Sequence, residues 1–173
     1  MVLSKEYLAG LFDGEGHVSI TYSPKNGGNH PKLCLKITNT HLPVLLLIKE
    51  IYGGNIYANK HKQESWLQCY VLSLTVEQSK QFICDVFPYL IIKQKQAMFA
   101  LEFSDTVYRR GRKIVTEEEY EIRSRCMESV KQLKQEQWKT PYSEDTLSQF
   151  LLEHEEHKGF IQHRKTIKGE NYV

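Results

Sequence analysis

The stretch Leu8-Ala9-Gly10-Leu11-Phe12-Asp13-Gly14-Glu15-Gly16 decides the fold that this sequence predicts. Ser4 can cap a helix at its N-terminus, and Glu6 is a favourable residue for the first turn. The apolar residues of the stretch recur at helical spacing and form one stripe, made of Leu8, Leu11 and Phe12. The pattern therefore predicts an amphipathic helix that ends at the closing Gly-Glu-Gly sequence.

Gly10 and Gly14 lie four residues apart, on one face of this helix. A glycine inside a helix costs about 1 kcal/mol relative to alanine, because its backbone loses the most freedom on folding. We interpret the pair as a surface for the close approach of another helix, as small residues provide between membrane helices. The alternative is a short amphipathic helix with a C-terminal glycine cap and no further role.

Glu15 places a carboxylate at the C-terminus of the helix, where the helix dipole disfavours negative charge. The carboxylate is therefore expected to be either well solvated or neutralised by a cation. A metal ion is the more specific of these two hypotheses.

The composition fits one domain with its own core. The chain has 173 residues, of which 40% are hydrophobic and 25% charged. The net charge is only +2, but residues 17–62 contain six lysines and one acid, so a basic surface is expected there. The four cysteines lack the spacing of a zinc site, which favours free thiols in a reducing compartment.

Two alternating segments on either side of a glycine- and proline-rich turn predict a β-hairpin. The segments cover residues 17–23 and 32–38, and the turn covers residues 24–31. In each segment the apolar residues fall on one face and the polar or basic residues on the other. An ordinary solvent-facing hairpin has the same pattern, so the hairpin alone does not indicate a binding surface.

The rest of the chain predicts more helices and two more strands. Helices are expected at residues 42–52, capped by Asn39 or Thr40, after the capping box Thr75-Val76-Glu77-Gln78, and from about 94 to 107. Strands are expected at residues 55–59 and 66–74. The predicted order is αββαββα. A second capping box, Thr116-Glu117-Glu118-Glu119, opens a further helix, and a shorter helix and a basic tail follow in residues 141–173.

Leu8 to Gly16 resembles the signature motif of the LAGLIDADG homing endonucleases, with seven or eight of nine positions matching if conservative replacements are allowed. The resemblance covers about residues 4–140, with a second specific region at residues 88–97. It implies an α+β fold whose four-stranded antiparallel sheet binds DNA and is backed by helices, with C-terminal helices added. We therefore predict an endonuclease domain at residues 1–140 and a C-terminal extension at 141–173.

The resemblance also implies an activity: a staggered double-strand break in a long, near-palindromic DNA target, made by metal-dependent hydrolysis. The motif occurs once in the chain, which implies a homodimer. The helix face expected to pair comprises Tyr7, Ala9, Gly10, Asp13 and Gly14. Asp13 has a second interpretation, as a local cap.

Glu15 is the catalytic carboxylate and metal ligand that the resemblance implies, with the carbonyl of Gly14 as a further ligand. Mg²⁺ is the expected metal, and Mn²⁺ or Ca²⁺ are expected to substitute for it in binding.

Lys93 is the expected catalytic lysine. A lysine at a helix start opposes the dipole and fits best beside an anion such as phosphate. Asn39 has two equal interpretations: an active-site residue that orders solvent, or a plain helix cap. Pro43 stands about where the family pattern has another basic residue, so that charge is either absent or supplied from elsewhere.

Base-reading residues are expected on the sheet, because a strand rises about 3.3 Å per residue and duplex DNA about 3.4 Å per base pair. The candidates for DNA contact share a polar side chain on the outer face of a strand or in a loop: Ser19, Thr21, Ser23, Lys25, His30, Lys32, Lys36, Tyr57 and Asn59. Arg110 and Arg112 belong to a basic loop that is expected to touch the phosphate backbone.

Two other functions compete with the nuclease. One is a non-cleaving protein on the same fold, either an RNA maturase that binds its own intron or a DNA-binding regulator. The other is an unrelated α+β domain, which leaves Gly10 and Gly14 unexplained. The sequence predicts neither a membrane span nor a signal or transit peptide. We therefore expect an intracellular, intron-encoded protein from an organelle or a prokaryotic genome.

Overall fold

The computed structural model of the protein describes residues 3–22, 31–59, 67–107 and 115–139. These residues form the helices and strands in the predicted order: α1 (Lys5–Glu15), β1 (Gly16–Tyr22), β2 (Pro31–Asn39), α2 (Leu42–Tyr52), β3 (Asn55–Ala58), β4 (Tyr70–Leu74), α3 (Val76–Val86), a 3₁₀ turn (Phe87–Tyr89), α4 (Gln94–Asp105) and α5 (Glu117–Lys139).

The four strands form one antiparallel sheet in the order β1-β2-β4-β3, which confirms the predicted α+β architecture. Strand β4 begins at Tyr70 and is shorter than the predicted strand at residues 66–74, since residues 67–69 lie outside it. The register aligns Leu35 with Leu74 and Ile37 with Leu72, so these side chains share the inner face. That face packs against the helices and forms the core.

Hydrogen bonds confirm the predicted caps of three helices. Ser4 Oγ accepts the amide of Tyr7 at 3.2 Å. Each capping box closes in both directions, with distances of 3.0–3.4 Å in the box that opens α3 and 3.1–3.3 Å in the box that opens α5. The side-chain groups thus satisfy amides that have no partner within their own helix.

The predicted cap of α2 is wrong. His41 is its N-cap residue and makes no side-chain cap hydrogen bond, so neither Thr40 nor Asn39 caps the helix. Asn39 instead accepts the amide of His41 on Oδ1 at 2.8 Å, a local turn that leads the chain from β2 into α2.

Phe12 lies at the centre of the core, fully buried. Its ring contacts that of Phe82 edge to face, with 5.2 Å between centroids. Phe82 in turn meets the ring of Tyr52 in the same geometry at 5.1 Å. These contacts join α1, α3 and α2 behind the sheet and fix the position of the α1 C-terminus.

The chain divides into two compact units, Met1–Gln135 and Glu136–Val173, and the elements from α1 to α4 belong to the first. In the part of the chain that the structure describes, no helix is both long and apolar enough to cross a membrane.

Candidate active site

Glu15 is the last residue of α1 and is exposed to solvent. The chain turns directly into β1 at Gly16, whose amide donates to the carbonyl of Phe12. A Cβ at position 16 would lie 2.2 Å from the Phe12 ring, so only glycine fits here without a shift of the core. The turn therefore holds the Glu15 carboxylate at the junction of the helix and the sheet.

Asp13 is buried, and its carboxylate binds the backbone that precedes α4. Oδ2 accepts the amides of Ile91 at 2.8 Å and Ile92 at 3.2 Å, and Oδ1 accepts the amide of Lys93 at 2.9 Å. Both oxygens are thus committed within the protomer. The placement of Asp13 on the dimer face is therefore wrong, and its second interpretation, as a local cap, describes what the structure has.

Lys93 lies at the N-cap of α4, as predicted, and its ammonium donates to the backbone carbonyl of Asp13. Burial lowers the pKa of Lys93, while the negative charges of Asp13 and Glu15 oppose that shift. The ammonium therefore lies close to the carboxylate that ends α1. The sequence predicts an anion near this helix start, and in the protomer the Asp13 carboxylate is one.

Two residues with basic side chains, His17 and Lys134, lie near the same place and are not among the predicted site residues. His17 follows Glu15 by two residues and pairs with Lys36 across the β1–β2 ladder. Burial lowers the pKa of His17, and the positive charges of Lys134, Lys36 and Lys93 lower it further. His17 is therefore a neutral imidazole near pH 7.

Lys134 reaches this cluster from α5. Val130, four residues earlier in α5, lies on the same helix face as Lys134. Val130 is 2% exposed and belongs to the core, so this face of α5 turns inward. Lys134 itself is half-buried. Burial is the main cause that lowers its pKa, and the positive charge of Lys93 also lowers it. No sequence motif marks Lys134, because only the packing of α5 brings it near residues so distant in the chain.

The donor groups here fit a divalent metal that is shared with a substrate. Glu15 offers one exposed carboxylate and Gly14 one backbone carbonyl, whereas the carboxylate oxygens of Asp13 accept three backbone amides. Within the described residues, no three His, Cys, Asp or Glu side chains converge on a point. Mg²⁺ commonly takes one or two carboxylates and completes its shell with water and substrate phosphates, so this small donor set suits it.

Asn39 is half-buried at the end of β2, and its Oδ1 is occupied by the amide of His41. The structure thus contradicts the interpretation of Asn39 as the cap of α2 and shows a local turn at this residue instead. Its catalytic role stays a prediction.

The outward face of α1 carries most of the residues predicted for the dimer. Tyr7 is 49% exposed, and Gly10 and Gly14 are exposed as well. A Cβ at either glycine would meet no atom within 4 Å among the described residues. Ala9 is fully buried in the protomer, so its assignment to this face is wrong.

The outer face of the sheet carries the described DNA-contact candidates of β1 and β2. The register places Thr21 opposite Lys32 and Ser19 opposite Cys34. The ammonium of Lys36 on β2 lies 6.0 Å from the centre of the Tyr57 ring on β3, across the intervening strand β4. Asn59 follows β3 and lies outside the strand. Its backbone N–H donates to the backbone carbonyl of Cys69 at 2.8 Å.

Five DNA-contact candidates lie outside the described residues: Ser23, Lys25, His30, Arg110 and Arg112. The register also places on the outer face residues that the prediction omitted, among them His17, Thr38, Asn55 and Ser73. Strand β4 carried no clear sequence signal for its two faces, because Val71 and Leu72 are both buried.

Comparison with known proteins gives one consistent picture. Residues 8–105 match the family model described as LAGLIDADG endonuclease. A relative from Debaryomyces hansenii, described as a probable intron-encoded endonuclease aI2, is 36% identical over 73 residues, which cover 35% of this chain and 11% of the relative. The match thus spans about a tenth of that relative's length.

Solved structures share the fold. The archaeal intron-encoded homing endonuclease I-Vdi141I, complexed with DNA, superposes with a TM-score of 0.55 at 21% identity, covering 86% of this chain and 94% of that one. The homing endonuclease I-TnaI gives a TM-score of 0.53 at 15% identity, covering 88% and 99%.

Proposed function

The chain belongs to the LAGLIDADG endonuclease family, and we propose that it is a homing endonuclease that cleaves both strands of a specific duplex DNA by metal-dependent hydrolysis. The observation that carries this proposal is the junction of α1 and β1. There an exposed carboxylate, Glu15, lies beside the half-buried ammonium of Lys93 and at the edge of the polar sheet face.

Glu15 and the Gly14 carbonyl would hold a divalent metal, most naturally Mg²⁺, together with phosphate oxygens and water. When bound, such a metal lowers the pKa of a coordinated water and stabilises charge on the reacting oxygens. The Lys93 ammonium would stabilise negative charge that develops on the phosphate, because a positioned cation in a partly desolvated site acts strongly on such charge.

The active unit would be a homodimer paired through the outward face of α1. Gly10 and Gly14 each reduce helix stability, and no contact within the described protomer requires them. A second α1 helix packed against this face would meet two exposed backbones. Ile91 and Ile92, 54% and 59% exposed, are held at the end of the same helix and would add apolar area to the contact. Pairing would bring the two Glu15 carboxylates together, one for each DNA strand.

The sheet would read the target through the major groove. Its outer face offers hydroxyl, ammonium and phenol groups at positions 19, 21, 32, 36 and 57, which can donate to or accept from base edges. Two copies related by a twofold axis would read two half-sites, so the expected target is a near-palindrome.

Replacement of Glu15 by Gln tests the nuclease. Glu15→Gln keeps the shape of the side chain and removes the charge that would bind the metal. We expect folding, dimerisation and binding to the target to persist, while Mg²⁺-dependent cleavage of both strands falls to background. Plasmid cleavage and fluorescence anisotropy on the same target measure the two properties separately.

Cleavage that survives in this variant would remove Glu15 from the site. A wild-type chain that binds its target without cutting it would instead favour the maturase or regulator.

The target comes from the gene's surroundings, since a homing gene interrupts its own recognition site. The Debaryomyces relative is described as intron-encoded, and we propose the same setting here, in an organelle or prokaryotic genome.

Lys134 is our candidate for the additional basic group that is missing near Pro43. Lys134→Ala should slow cleavage on the order of tenfold, or about 1.4 kcal/mol of transition-state stabilisation. It should also reduce by about one the slope of log affinity against log salt concentration, because one phosphate contact is lost. Lys131→Ala is the matched control, since Lys131 lies one turn earlier, exposed, and pairs with Glu128 at 3.4 Å. Equal effects of the two variants would show that Lys134 is an ordinary surface charge.

A further inference from the structure

The start of α4 lacks a cap of its own. Its N-cap residue, Lys93, makes no side-chain cap hydrogen bond, since an ammonium has no acceptor for backbone amides. Lys93 and Lys95 also place two positive charges at the positive end of the α4 dipole. An isolated helix with this beginning would be poorly stabilised at its first turn.

Asp13 supplies the missing acceptor from a helix 78 residues away. Its two carboxylate oxygens accept the amides of three successive residues, 91, 92 and 93, at 2.8–3.2 Å. Hydrogen bonds to an ionised acceptor are stronger than neutral ones. The backbone conformation that leads into α4 is therefore fixed by a residue of α1.

The contact also runs in the opposite direction. The carbonyl of Asp13 belongs to the last turn of α1, where carbonyl groups have no partner within the helix. The Lys93 ammonium donates to this carbonyl. Asp13, two residues before Glu15, thus binds Lys93 at two places. Its carboxylate accepts the backbone amide of Lys93, and its backbone carbonyl accepts the ammonium.

We propose that Asp13 is a positioning residue for strand cleavage, which fixes the Lys93 ammonium beside the Glu15 carboxylate. The proposal rests on the proposed function of those two residues. Lysine has a flexible four-carbon side chain, and a displacement of about 1 Å in an active site can cost about a hundredfold in rate. The reciprocal contact with Asp13 restricts that freedom before DNA arrives.

The variant Asp13→Asn tests the role. It keeps the size of the side chain but replaces one acceptor oxygen with an NH₂ group, which would face backbone amides that also donate. We expect the single-turnover cleavage rate at saturating DNA and Mg²⁺ to fall about 10- to 100-fold. The dissociation constant for the target, measured with Ca²⁺, should change less than about twofold, because no DNA contact is removed. Asp105→Asn is the control, since Asp105 is an exposed carboxylate at the other end of α4, paired with Lys80.

A double-mutant cycle with Lys93→Ala separates positioning from folding. If Asp13 acts through Lys93, Asp13→Asn should slow the Lys93→Ala enzyme less than about twofold, because the group that it positions is already absent. An equal loss of rate in both backgrounds would contradict the proposal and make Asp13 a purely structural residue.

Amide hydrogen exchange, measured without DNA or metal, gives a readout that needs no activity. In Asp13→Asn the amides of Ile91, Ile92 and Lys93 should exchange faster, while that of Ser79, bonded to the Thr75 carbonyl, should not change. If the wild-type chain cleaved no target, the proposed function would fail, and unchanged exchange at residues 91–93 would still overturn the positioning role.

Discussion

The two faces of α1 differ in what explains their residues. On the inward face, Leu8, Ala9, Phe12 and Asp13 are at most 9% exposed. Contacts within the protomer account for this face, through the core and through the amides before α4. On the outward face, Tyr7 is 49% exposed and is followed by two glycines that reduce helix stability. The inward face thus builds the protomer, whereas the outward face is the one that we propose pairs with a second copy of the chain.

The glycines in and directly after α1 differ in the same way. A Cβ at Gly16 would lie 2.2 Å from the ring and 2.4 Å from the carbonyl oxygen of Phe12, so Gly16 has a reason inside the protomer. Gly10 and Gly14 have open space around the same position, at least among the described residues. Of three glycines in seven residues, only Gly16 is thus required by contacts among the described residues, a difference that the sequence alone does not show.

The largest expected effect belongs to the inward face. Phe12→Ala removes a fully buried ring and its edge contact with Phe82, and should destabilise the protomer by about 3–5 kcal/mol. Urea unfolding followed by circular dichroism measures the change. Tyr7→Ala is the comparison on the outward face and should change the stability of the isolated protomer by less than about 0.5 kcal/mol. A loss of similar size in both variants would contradict the division between the two faces.

Two glycine-to-alanine substitutions should change the stability of the isolated protomer in opposite directions. Gly16→Ala should destabilise by about 1–3 kcal/mol, because the added methyl group overpacks against Phe12. Gly10→Ala should stabilise the isolated protomer by up to about 1 kcal/mol, since alanine is the better helix former. The same substitution should weaken the dimer, and Gly10→Val more so, as sedimentation equilibrium would measure.

A wild-type protein that stays monomeric at micromolar concentration, with and without DNA, would remove the dimer from the proposal. Unchanged dimerisation in Gly10→Val would place the interface elsewhere on the protomer.

These differences show how far sequence reasoning reaches. Local spacing and capping predicted α1 with Glu15 at its C-terminal end, and the place of Lys93 at the start of α4. The sequence analysis misplaced Ala9 and left Asp13 open between the dimer face and a local cap, since helical periodicity shows which residues share a face but not which face turns inward. The partners of Asp13 lie 78 to 80 residues away, and Lys134 joins the site through the packing of α5. Such contacts depend on tertiary structure, for which a single sequence carries no local signal.

The smallest expected effect is a pH dependence that comes from contacts of α2 with α3. Tyr52 is 5% exposed, packs on Phe82, and donates its hydroxyl to Asp85 at 3.1 Å. Asp85 in turn accepts the ammonium of Lys5 on α1 at 2.6 Å. Burial, and then the hydrogen bond to Asp85, raises the pKa of Tyr52 to about 12. The neutral phenol is therefore favoured in the folded state, and its contribution is complete below the unfolded pKa of about 10.

As the pH rises from about 10 to 12, the unfolded chain loses this proton before the folded one does, and stability should fall by at most about 1.4 kcal/mol per pH unit from this group. Burial also raises the pKa of the Cys126 thiol to about 12, so wild-type protein alone would not isolate the tyrosine. Tyr52→Phe does, because Cys126 is present in both proteins. The free energy of unfolding, measured by urea at pH 8, 10 and 11, should fall less steeply in Tyr52→Phe than in the wild type. Parallel curves over this range would mean that Tyr52 titrates with an ordinary pKa, and that its contacts with Phe82 and Asp85 do not favour the neutral phenol.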